Sequence, residues 1–354
     1  MTHWSARIPE PRQRGADTAR RRRRPSVLFD RRVLDAYLAV MPDIRTLIFA
    51  AGLLAFGCGG AGPDAHVVAP KAAPGTLERF AGDPRVLVYA SNDWGFSTNT
   101  FFIEGPAGLV ALDTQFLPSA AEEAITRAEA LTGKRVVAAI VLHVNPDKFN
   151  GTATFQRHGA RVVTSAPVAA LIPAVHTQRK GKFWGTYAPD YPADLPVPEV
   201  FGEADAPVEA GGVSVRLRVV GAGCSKAHVI AEWEGHVFGG DLVANGHHAW
   251  LELGLVDEWK ARLAEMAASA PKFVHPGRGP SGGPELLERQ RAYLDEVVAL
   301  VQAEPALPIP MPDEALTRLK GVLQTRHPGW GNTHFLRFGL PAVWRHEAAR
   351  RKTP

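Results

Sequence analysis

The sequence predicts a layered α/β domain, and three observations support that prediction. Of its 354 residues, 45% are hydrophobic and 21% are charged, a composition that excludes a disordered, collagen-like or coiled-coil chain. From about residue 77 onward, short apolar runs alternate with segments of helical period. One run, residues 136–142, is apolar throughout and rich in β-branched residues, as expected of a strand covered on both faces. Mixed strands with helices outside them predict one large domain over residues 77–304.

Strands are predicted where short runs of apolar and β-branched residues occur. In residues 213–220, apolar and polar side chains alternate, which indicates a half-buried strand. Residues 229–233 and 236–238 predict a hairpin around Glu234 and Gly235. The remaining strands are expected at 86–90, 99–103, 108–112 and 161–164.

Helices are predicted from their end signals and from apolar spacing. Residues 118–131 begin with Pro118 and are followed by Gly133, the usual residues at the two ends of a helix. Further helices are expected at 148–158, 257–268, 284–303 and 313–325. The Pro-rich stretch 176–210 predicts an irregular covering loop. Residues 305–354 predict a C-terminal helical extension that ends in a basic tail.

The distribution of charge argues against a nucleic-acid partner. The formal charge is +4, but residues 1–40 contain ten arginines and four acidic residues. The remaining residues carry thirty basic and thirty-two acidic side chains, so the body of the protein is slightly acidic. We therefore expect a small-molecule ligand or substrate and no nucleic acid.

The N-terminal region has the pattern of an export signal. Residues 46–57 are uncharged, too short a run for a membrane span of about 20 residues but sufficient for a signal-peptide core. The run ends at Cys58 in a sequence that resembles the lipobox of bacterial lipoproteins. The resemblance implies an exported periplasmic or outer-membrane lipoprotein, with a lipid on Cys58 as its only membrane contact. A buried core helix over 46–57 and a twin-arginine signal at Arg31 and Arg32 are the alternatives.

The segments on either side of Cys58 complete this interpretation. Residues 1–40 predict a disordered, Arg-rich leader, or an untranslated extension ahead of a start at Met41. Residues 41–58 are then the signal peptide, and the Gly- and Pro-rich residues 59–76 are a flexible linker.

Polar residues gather in four segments that follow predicted strands. In chain order these are 143–151 (HVNPDKFNG), 221–228 (GAGCSKAH), 238–242 (FGGDL) and 274–279 (VHPGRG). With Asp113 at the end of an earlier strand, this ordered set resembles the metallo-β-lactamase superfamily over about residues 85–304. The resemblance implies an αββα sandwich with an active site along one edge of its two sheets. Asp113 is expected to support this edge by hydrogen bonding.

Members of that superfamily hold one or two metal ions, usually zinc. Their ligands lie in a His-x-His-x-Asp-His loop, after a Gly-x-Gly turn, in a Gly-Gly-Asp turn and in Pro-Gly-His-Gly. Such a metal converts bound water to hydroxide near neutral pH. This chain keeps His143, Asp147 and Asp241 at matching positions. The other four positions carry Asn145, Lys148, Cys224 and Arg278.

The replacements at the second metal position are both cations. Neither Lys148 nor Arg278 has a lone pair to offer at neutral pH, but each can neutralise Asp147 and Asp241 as a divalent cation would. We therefore expect a salt-bridged cluster of these four side chains, and we expect the second metal site to be lost.

The first metal position leaves three interpretations open. One zinc or iron ion bound by His143, Cys224, Asp241 and His228 would give a catalytic shell. In a site without metal, Cys224 would be a small buried side chain and the histidines would form ordinary hydrogen bonds. In a metal-independent site, Cys224 would be a thiolate nucleophile with His143 or His228 as its base.

By analogy with the superfamily, the sequence predicts a hydrolase of an ester, thioester, lactone or amide. His143, Asp147 and Cys224 are then the expected catalytic residues. The rival prediction is a catalytically silent protein that binds an anionic ligand between Lys148 and Arg278. Asn145 and His275 are expected to join these two cations in substrate binding.

Overall fold

The computed structural model describes residues 74–352. The leader (1–40), the signal peptide (41–58) and nearly all of the linker (59–76) lie outside the described residues, so their assignments and the lipidation of Cys58 stay predictions. Within the described range, no helix has the length and hydrophobicity needed to cross a membrane.

Two β-sheets form the centre of the fold. The seven strands of the first sheet lie in chain order: β1 (Thr76–Arg79), β2 (Val86–Ala90), β3 (Asn99–Gly105), β4 (Gly108–Leu112), β5 (Val136–Ile140), β6 (Arg161–Thr164) and β7 (Glu199–Val200). Strands β1 to β4 pair antiparallel, whereas β4 to β7 pair parallel. Strand β5 is buried along nearly its whole length, as its apolar sequence predicts.

The second sheet contains five strands in the order β12-β11-β10-β9-β8. These are β8 (Ala206–Ala210), β9 (Val213–Val220), β10 (His228–Trp233), β11 (His236–Phe238) and β12 (Phe273–His275). All neighbours pair antiparallel except β11 and β12, which are parallel. Phe101 of the first sheet packs on Phe238 of the second, with ring centroids 5.4 Å apart, so the two sheets face each other across an apolar layer.

Helices cover the outer faces of both sheets. They are α1 (Pro118–Thr132), α2 (Pro146–Phe149), α3 (Thr152–Arg157), α4 (Ala166–Tyr187), α5 (Val256–Ala268), α6 (Glu285–Gln302), α7 (Asp313–Arg326) and α8 (Leu336–Arg350). Helix α1 packs against the first sheet, while helices α5 to α8 share a hydrophobic core with β10, β11 and β12. The layers are therefore helix, sheet, sheet and helix, which confirms the predicted αββα architecture.

One edge of the sandwich collects the ends of strands from both sheets. His143 forms an isolated β-bridge with His228, and the Val229 N–H donates to Leu142 O at 2.6 Å. These backbone contacts join the end of β5 to the start of β10. The segments that follow β4, β5, β9, β11 and β12 meet at this edge, so residues far apart in sequence lie close together there.

One regional prediction is wrong, and the helical extension predicted over 305–354 is confirmed by α7 and α8. The stretch 176–210 is not an irregular loop, because α4 extends to Tyr187 and β7 and β8 follow it. Ser165 caps α4 by accepting from the Val168 N–H, and that start signal lies ahead of the prolines that obscure the helix. The basic tail is also helical: α8 buries Trp344 against the core of the second sheet.

Candidate functional site

A buried ion-pair cluster occupies the centre of the edge between the sheets. Its members are Asp113, Asp147, Lys148, Asp241 and Arg278, none of them more than 5% exposed. They come from four separate segments, which follow β4, β5, β11 and β12. The predicted pairing of two cations with Asp147 and Asp241 is confirmed, and Asp113 joins it.

Both cations bridge the same two carboxylates. Lys148 Nζ lies 2.9 Å from Asp241 Oδ1 and 3.1 Å from Asp147 Oδ2. The Arg278 guanidinium reaches Asp147 Oδ2 at 2.7 Å and Asp241 Oδ1 at 2.5 Å. Thr98 Oγ1 donates a further hydrogen bond of 2.6 Å to Asp147 Oδ2. The two positive charges thus lie where a divalent cation would otherwise balance these carboxylates.

The backbone of α2 directs Lys148 inward. This four-residue helix begins at Pro146 and ends at Phe149, and all four of its residues are buried. The Lys148 carbonyl accepts from both the N–H and the hydroxyl of Thr114, which fixes the loop after β5 to the loop after β4. Lys148 is 0% exposed and therefore cannot touch a solvent-borne ligand.

The charges keep one another ionised. Burial alone would raise the pKa of Asp241, but Arg278 and Lys148 hold it well below its usual range. Burial would likewise lower the pKa of Lys148, yet Asp147, Asp241 and Asp113 raise it. The cluster is consequently charged at neutral pH, which is what a pair of permanent cations in a metal position requires.

Asp113 supports the edge, as predicted. Its Oδ1 accepts from the Leu142 N–H at 2.9 Å, while Oδ2 lies 3.8 Å from Lys148 Nζ. Burial raises the pKa of Asp113 to about 7, against the opposing effect of Lys148. Asp113 therefore holds the end of β5 and supplies only part of a negative charge at neutral pH.

Next to this cluster, His143, Cys224 and His228 converge. Each offers one ligand atom, and the three atoms lie within 4.8 Å of one another. Cys224 Sγ is 3.1 Å from His228 Nε2. Burial lowers the pKa of His143 to about 4 and that of His228 to about 3, so both imidazoles are neutral and keep a lone pair at neutral pH.

The donor set of this His–Cys–His group fits one metal ion. His228 Nδ1 lies 3.1 Å from Gly221 O, an arrangement that places the ring proton on Nδ1 and leaves Nε2 facing Cys224. His143 Nδ1 is buried and has no hydrogen-bond partner among the described residues. Two imidazoles and a thiolate suit zinc or another borderline-soft metal. His143, Cys224 and His228 can therefore hold one metal ion.

Asp241 lies beside this group rather than within it. Its backbone N–H donates to His143 Nε2 at 3.3 Å, and its Oδ2 is 3.7 Å from the same nitrogen. Its carboxylate is held by Lys148 and Arg278. Asp241 was predicted to complete the first metal shell, but its carboxylate is already neutralised by these two cations.

The metal-independent interpretation is disfavoured by the surroundings of Cys224. Burial raises the pKa of the Cys224 thiol well above its usual range, and Asp241 adds to this effect. Lys148 and Arg278 act in the opposite direction without overcoming burial, so these surroundings favour the neutral thiol over the predicted thiolate nucleophile.

His275 does not belong to this site, which corrects its assignment to substrate binding. It is 0% exposed and stacks on Phe238 at a ring-centroid distance of 4.3 Å. Its ring nitrogens lie 2.9 Å from His236 Nδ1 and 2.8 Å from Ser281 Oγ. The strand alternation of β12 directs His275 between the sheets, whereas Arg278 lies in the loop beyond the strand.

A cavity of about 470 Å³ opens beside the ion-pair cluster. Asn145, Asp147 and Arg278 line it from the cluster side, so these three predicted site residues do meet there. Aromatic rings form much of the remaining wall: Phe96, Phe116, Phe183, Tyr187, Trp250, Phe335 and Phe338. His143, Cys224, His228, Lys148 and Asp241 do not line the cavity. Asp147 and Arg278 therefore lie between the cavity and the His–Cys–His group.

Sequence reasoning missed the far wall of the cavity. This wall contains Arg179 and Lys182 of α4 and Arg337 of α8. The end of α4 lies in a stretch predicted to be irregular, and α8 lies in a C-terminal extension to which no role was assigned, so their side chains were not considered as ligand contacts. The only signal in the sequence is a basic residue next to an aromatic one, which occurs as Lys182–Phe183 on α4 and as Arg337–Phe338 on α8.

The fold is similar to that of solved metallo-β-lactamases. A metallo-β-lactamase from Pontibacter korlensis is 21% identical, with a TM-score of 0.50 over 62% of this chain and 99% of that chain. FIM-1 from Pseudomonas aeruginosa, solved in its mono-zinc form, is 18% identical, with a TM-score of 0.50 over 64% of this chain and 97% of that chain. DIM-1 metallo-β-lactamase is 15% identical, with a TM-score of 0.51 over 64% of this chain and 99% of that chain.

The class of protein is thereby defined at the level of the fold: this chain has the metallo-β-lactamase fold. Matches of this kind cover about two thirds of the chain. No protein-family model matches the sequence, and no curated protein sequence matches it.

Proposed function

We propose that this protein binds an anionic small molecule with an aromatic or apolar body in the cavity beside the ion-pair cluster. The observation that carries the proposal is the position of Arg278, which lines the cavity while it pairs with Asp147 and Asp241. No residue of the His–Cys–His group lines this cavity, whereas Arg278 does. The predicted silent binding protein is therefore the function that this geometry supports best.

The cavity has the size and lining of a small-molecule site. Its volume of about 470 Å³ suits a compact ligand, and aromatic walls with a few polar groups are typical of such sites. Trp250 and Phe335 pack edge to face with centroids 4.8 Å apart. Their rings offer flat, rigid surfaces to an apolar ligand body.

Lys182 and Arg337 supply the charge that selects an anion. Arg179 is paired with Glu252, and Arg278 is paired within the cluster. Among the described residues, Lys182 and Arg337 form no ion pair, although both line the cavity. Lys182 Nζ lies 4.0 Å from the Phe338 ring centroid, so its charge and the aromatic wall face the same space. These two side chains replace the buried Lys148 as the expected anion receptors.

Calorimetric titration with two matched probes tests this proposal. The aromatic carboxylate 2-naphthoate should bind, and its uncharged analogue 2-naphthamide should bind at least about tenfold more weakly, the equivalent of 1.4 kcal/mol. Lys182→Met should remove most of the difference in affinity between the two probes. Lys320→Met, on α7 and away from the cavity, should leave both affinities unchanged. Equal affinity for the two probes in the unmodified protein would contradict the proposal.

A second candidate function is a hydrolase with one metal ion, and the His–Cys–His group favours it. His143, Cys224 and His228 would hold one zinc or iron ion, which when bound supplies a Lewis acid and activates water. The Gly221 carbonyl fixes the His228 ring, and the Asp241 N–H contacts His143. Asn145 and Arg278 would orient an ester, thioester, lactone or amide from the cavity side.

Ester turnover separates the two candidates. A hydrolase should cleave p-nitrophenyl acetate in proportion to its zinc content and should lose both zinc and turnover in Cys224→Ala. A Ser269→Ala control, which removes a hydroxyl bonded to Met266 O at the end of α5, should retain both. Zinc binding without turnover, or no zinc binding at all, would leave the binding function and exclude the hydrolase.

A further inference from the structure

Outside the site described above, four polar side chains form a continuous line of hydrogen bonds. Asp83 Oδ2 lies 3.3 Å from His236 Nε2, and His236 Nδ1 lies 2.9 Å from His275 Nε2. His275 Nδ1 in turn lies 2.8 Å from Ser281 Oγ. Together these residues, here called the Ser–His–His–Asp relay, connect the loop between β1 and β2 to the segment that precedes α6.

The ionised end of the relay fixes the position of every proton along it. A hydrogen bond from Arg85 lowers the pKa of Asp83 to about 2, so its carboxylate can only accept. His236 must then carry its proton on Nε2 and accept at Nδ1. His275 must likewise donate from Nε2 and accept at Nδ1, where the available donor is the Ser281 hydroxyl.

Burial keeps both imidazoles neutral, as this arrangement requires. Burial lowers the pKa of His236, and it lowers that of His275 well below its usual range. Their exposed fractions are 2% and 0%. Phe80 and Phe101 pack on the His275 ring at 5.2 Å and 4.9 Å between centroids, so no water competes for the bonds in the middle of the relay.

Ser281 lies at the accessible end. It is half-buried and lies in an irregular Pro-Ser-Gly-Gly segment, in which Gly282 bridges to Val274. Within the described chain its own backbone N–H donates to no protein acceptor. Ser281 is therefore partly exposed, its hydroxyl proton points toward an imidazole acceptor, and one N–H donor is available beside it.

We propose that Ser281 is an activated nucleophile that reacts with small activated acyl and phosphonyl esters. In the reaction, Ser281 Oγ forms a bond to the electrophilic carbon or phosphorus while its proton passes to His275 Nδ1. His275 becomes an imidazolium whose Nε2–H donates to His236 Nδ1, while the His236 Nε2–H donates to Asp83, which stays ionised and orients both rings. His275 Nδ1 then returns the proton to the leaving oxygen, so that an ester releases its alcohol; a fluorophosphonate releases fluoride with that proton. Water later cleaves an acyl adduct to acid and free serine. This site is independent of the cavity and of the His–Cys–His group.

Labelling with a fluorophosphonate followed by peptide mass spectrometry tests the proposal. The unmodified protein should carry one adduct on the peptide that contains Ser281. Ser281→Ala should abolish it, whereas Ser214→Ala, which removes a serine bonded only to Glu209, should not. Absence of an adduct on Ser281, or equal labelling of several serines, would overturn the proposal.

Asp83 acts as a positioning residue, and its substitution provides a second test. Asp83→Asn lets an amide donate to His236 and reverse the relay, so labelling of Ser281 should slow at least about tenfold, while Asp83→Glu should restore it. Nitrogen-15 NMR should show both rings as Nε2–H tautomers in the unmodified protein and not in Asp83→Asn. An unchanged labelling rate in a folded Asp83→Asn variant, or Nδ1–H tautomers in the unmodified protein, would overturn the proposal.

Discussion

Lys148 Nζ lies 2.9 Å from Asp241 Oδ1, and both side chains are fully enclosed by protein. The two residues stand 93 positions apart in the sequence, each in a loop that follows a strand of a different sheet. With Arg278 on the same Asp241 oxygen, this contact links the two sheets through charge. It also explains why the cavity ends at Arg278.

Removal of the buried lysine charge should be costly. Lys148→Met leaves Asp113, Asp147 and Asp241 to share Arg278, and loss of one partner from a buried ion pair typically costs about 3–5 kcal/mol. Urea denaturation should show a decrease of this size in the free energy of unfolding. Lys260→Met removes an exposed pair with Asp295 and should cost at most about 1 kcal/mol. Equal effects of the two substitutions would contradict the described role of Lys148.

Two glycine substitutions should change stability in opposite directions. A Cβ on Gly277 would collide with Asp241 Oδ1 and the backbone of Gly240, so Gly277→Ala should destabilise the protein by about 1–3 kcal/mol. A Cβ on Gly321 in α7 meets no atom within 4 Å, so Gly321→Ala should stabilise it by about 0.5–1 kcal/mol. Thermal denaturation of both variants measures the difference. If Gly277→Ala left the stability unchanged, the loop that contains Gly277 would not be in tight contact with Asp241.

Acidification should destabilise the fold as the pH falls below the ordinary pKa of histidine. Burial lowers the pKa of His143 and His248 to about 4 and that of His228 to about 3, from an ordinary value of 6.5. The unfolded chain therefore binds protons first, and stability that is complete above that ordinary value is lost as the pH falls toward the folded pKa values. Asp113, whose pKa is raised to about 7, acts in the opposite direction, but three histidines outweigh one carboxyl.

Urea denaturation at pH ~7.5 and ~5 measures this dependence. The free energy of unfolding should be lower at the acidic pH, and His248→Gln should reduce the difference between the two. His346→Gln, on α8, should leave the difference in stability between the two pH values unchanged. A protein that is more stable at the acidic pH would show that Asp113 dominates.

The C-terminal residues should be required for folding of the second half of the sandwich. Trp344 is 1% exposed, and its Nε1 donates to Pro308 O at 2.7 Å. Trp344→Ala should therefore cost about 3–5 kcal/mol. Arg345→Ala, its half-buried neighbour, should cost less than about 1 kcal/mol. A Trp344→Ala protein as stable as the unmodified one would mean that α8 is dispensable.

The membrane anchor is testable separately, because Cys58 lies outside the described residues. If the lipobox interpretation holds, the full chain should partition with membranes when produced in a bacterium, and Cys58→Ala should not. Cys224→Ala is the matched control, since it removes the only other cysteine. Membrane partitioning of the Cys58→Ala protein would exclude the lipid anchor.

Much of the fold was predictable because its strands have strong local patterns. The unbroken apolar run of β5 and the alternation along β9 predict two strands correctly. The αββα layers follow from the family resemblance that the ordered polar segments carry. The pairing of Lys148 and Arg278 with Asp147 and Asp241 follows from the charge of the residues at the matching ligand positions.

The remaining features depend on tertiary contacts that local sequence does not encode. Helix α4 contains Pro173 and precedes a run of prolines, which conceals its length. The position of His275 between the sheets depends on the alternation of β12, a three-residue strand too short to detect. The cavity wall formed by Lys182 and Arg337 exists only because α4 and α8 pack at the same edge.

The central claim is that two cations occupy the place of the second metal, and zinc stoichiometry tests it most directly. The purified protein should be equilibrated with zinc, freed of excess by dialysis and analysed for metal per chain. The account predicts at most one zinc ion, held by the His–Cys–His group and lost in Cys224→Ala. Two zinc ions per chain would contradict it, because the second could bind only by displacing Lys148 and Arg278 from Asp147 and Asp241.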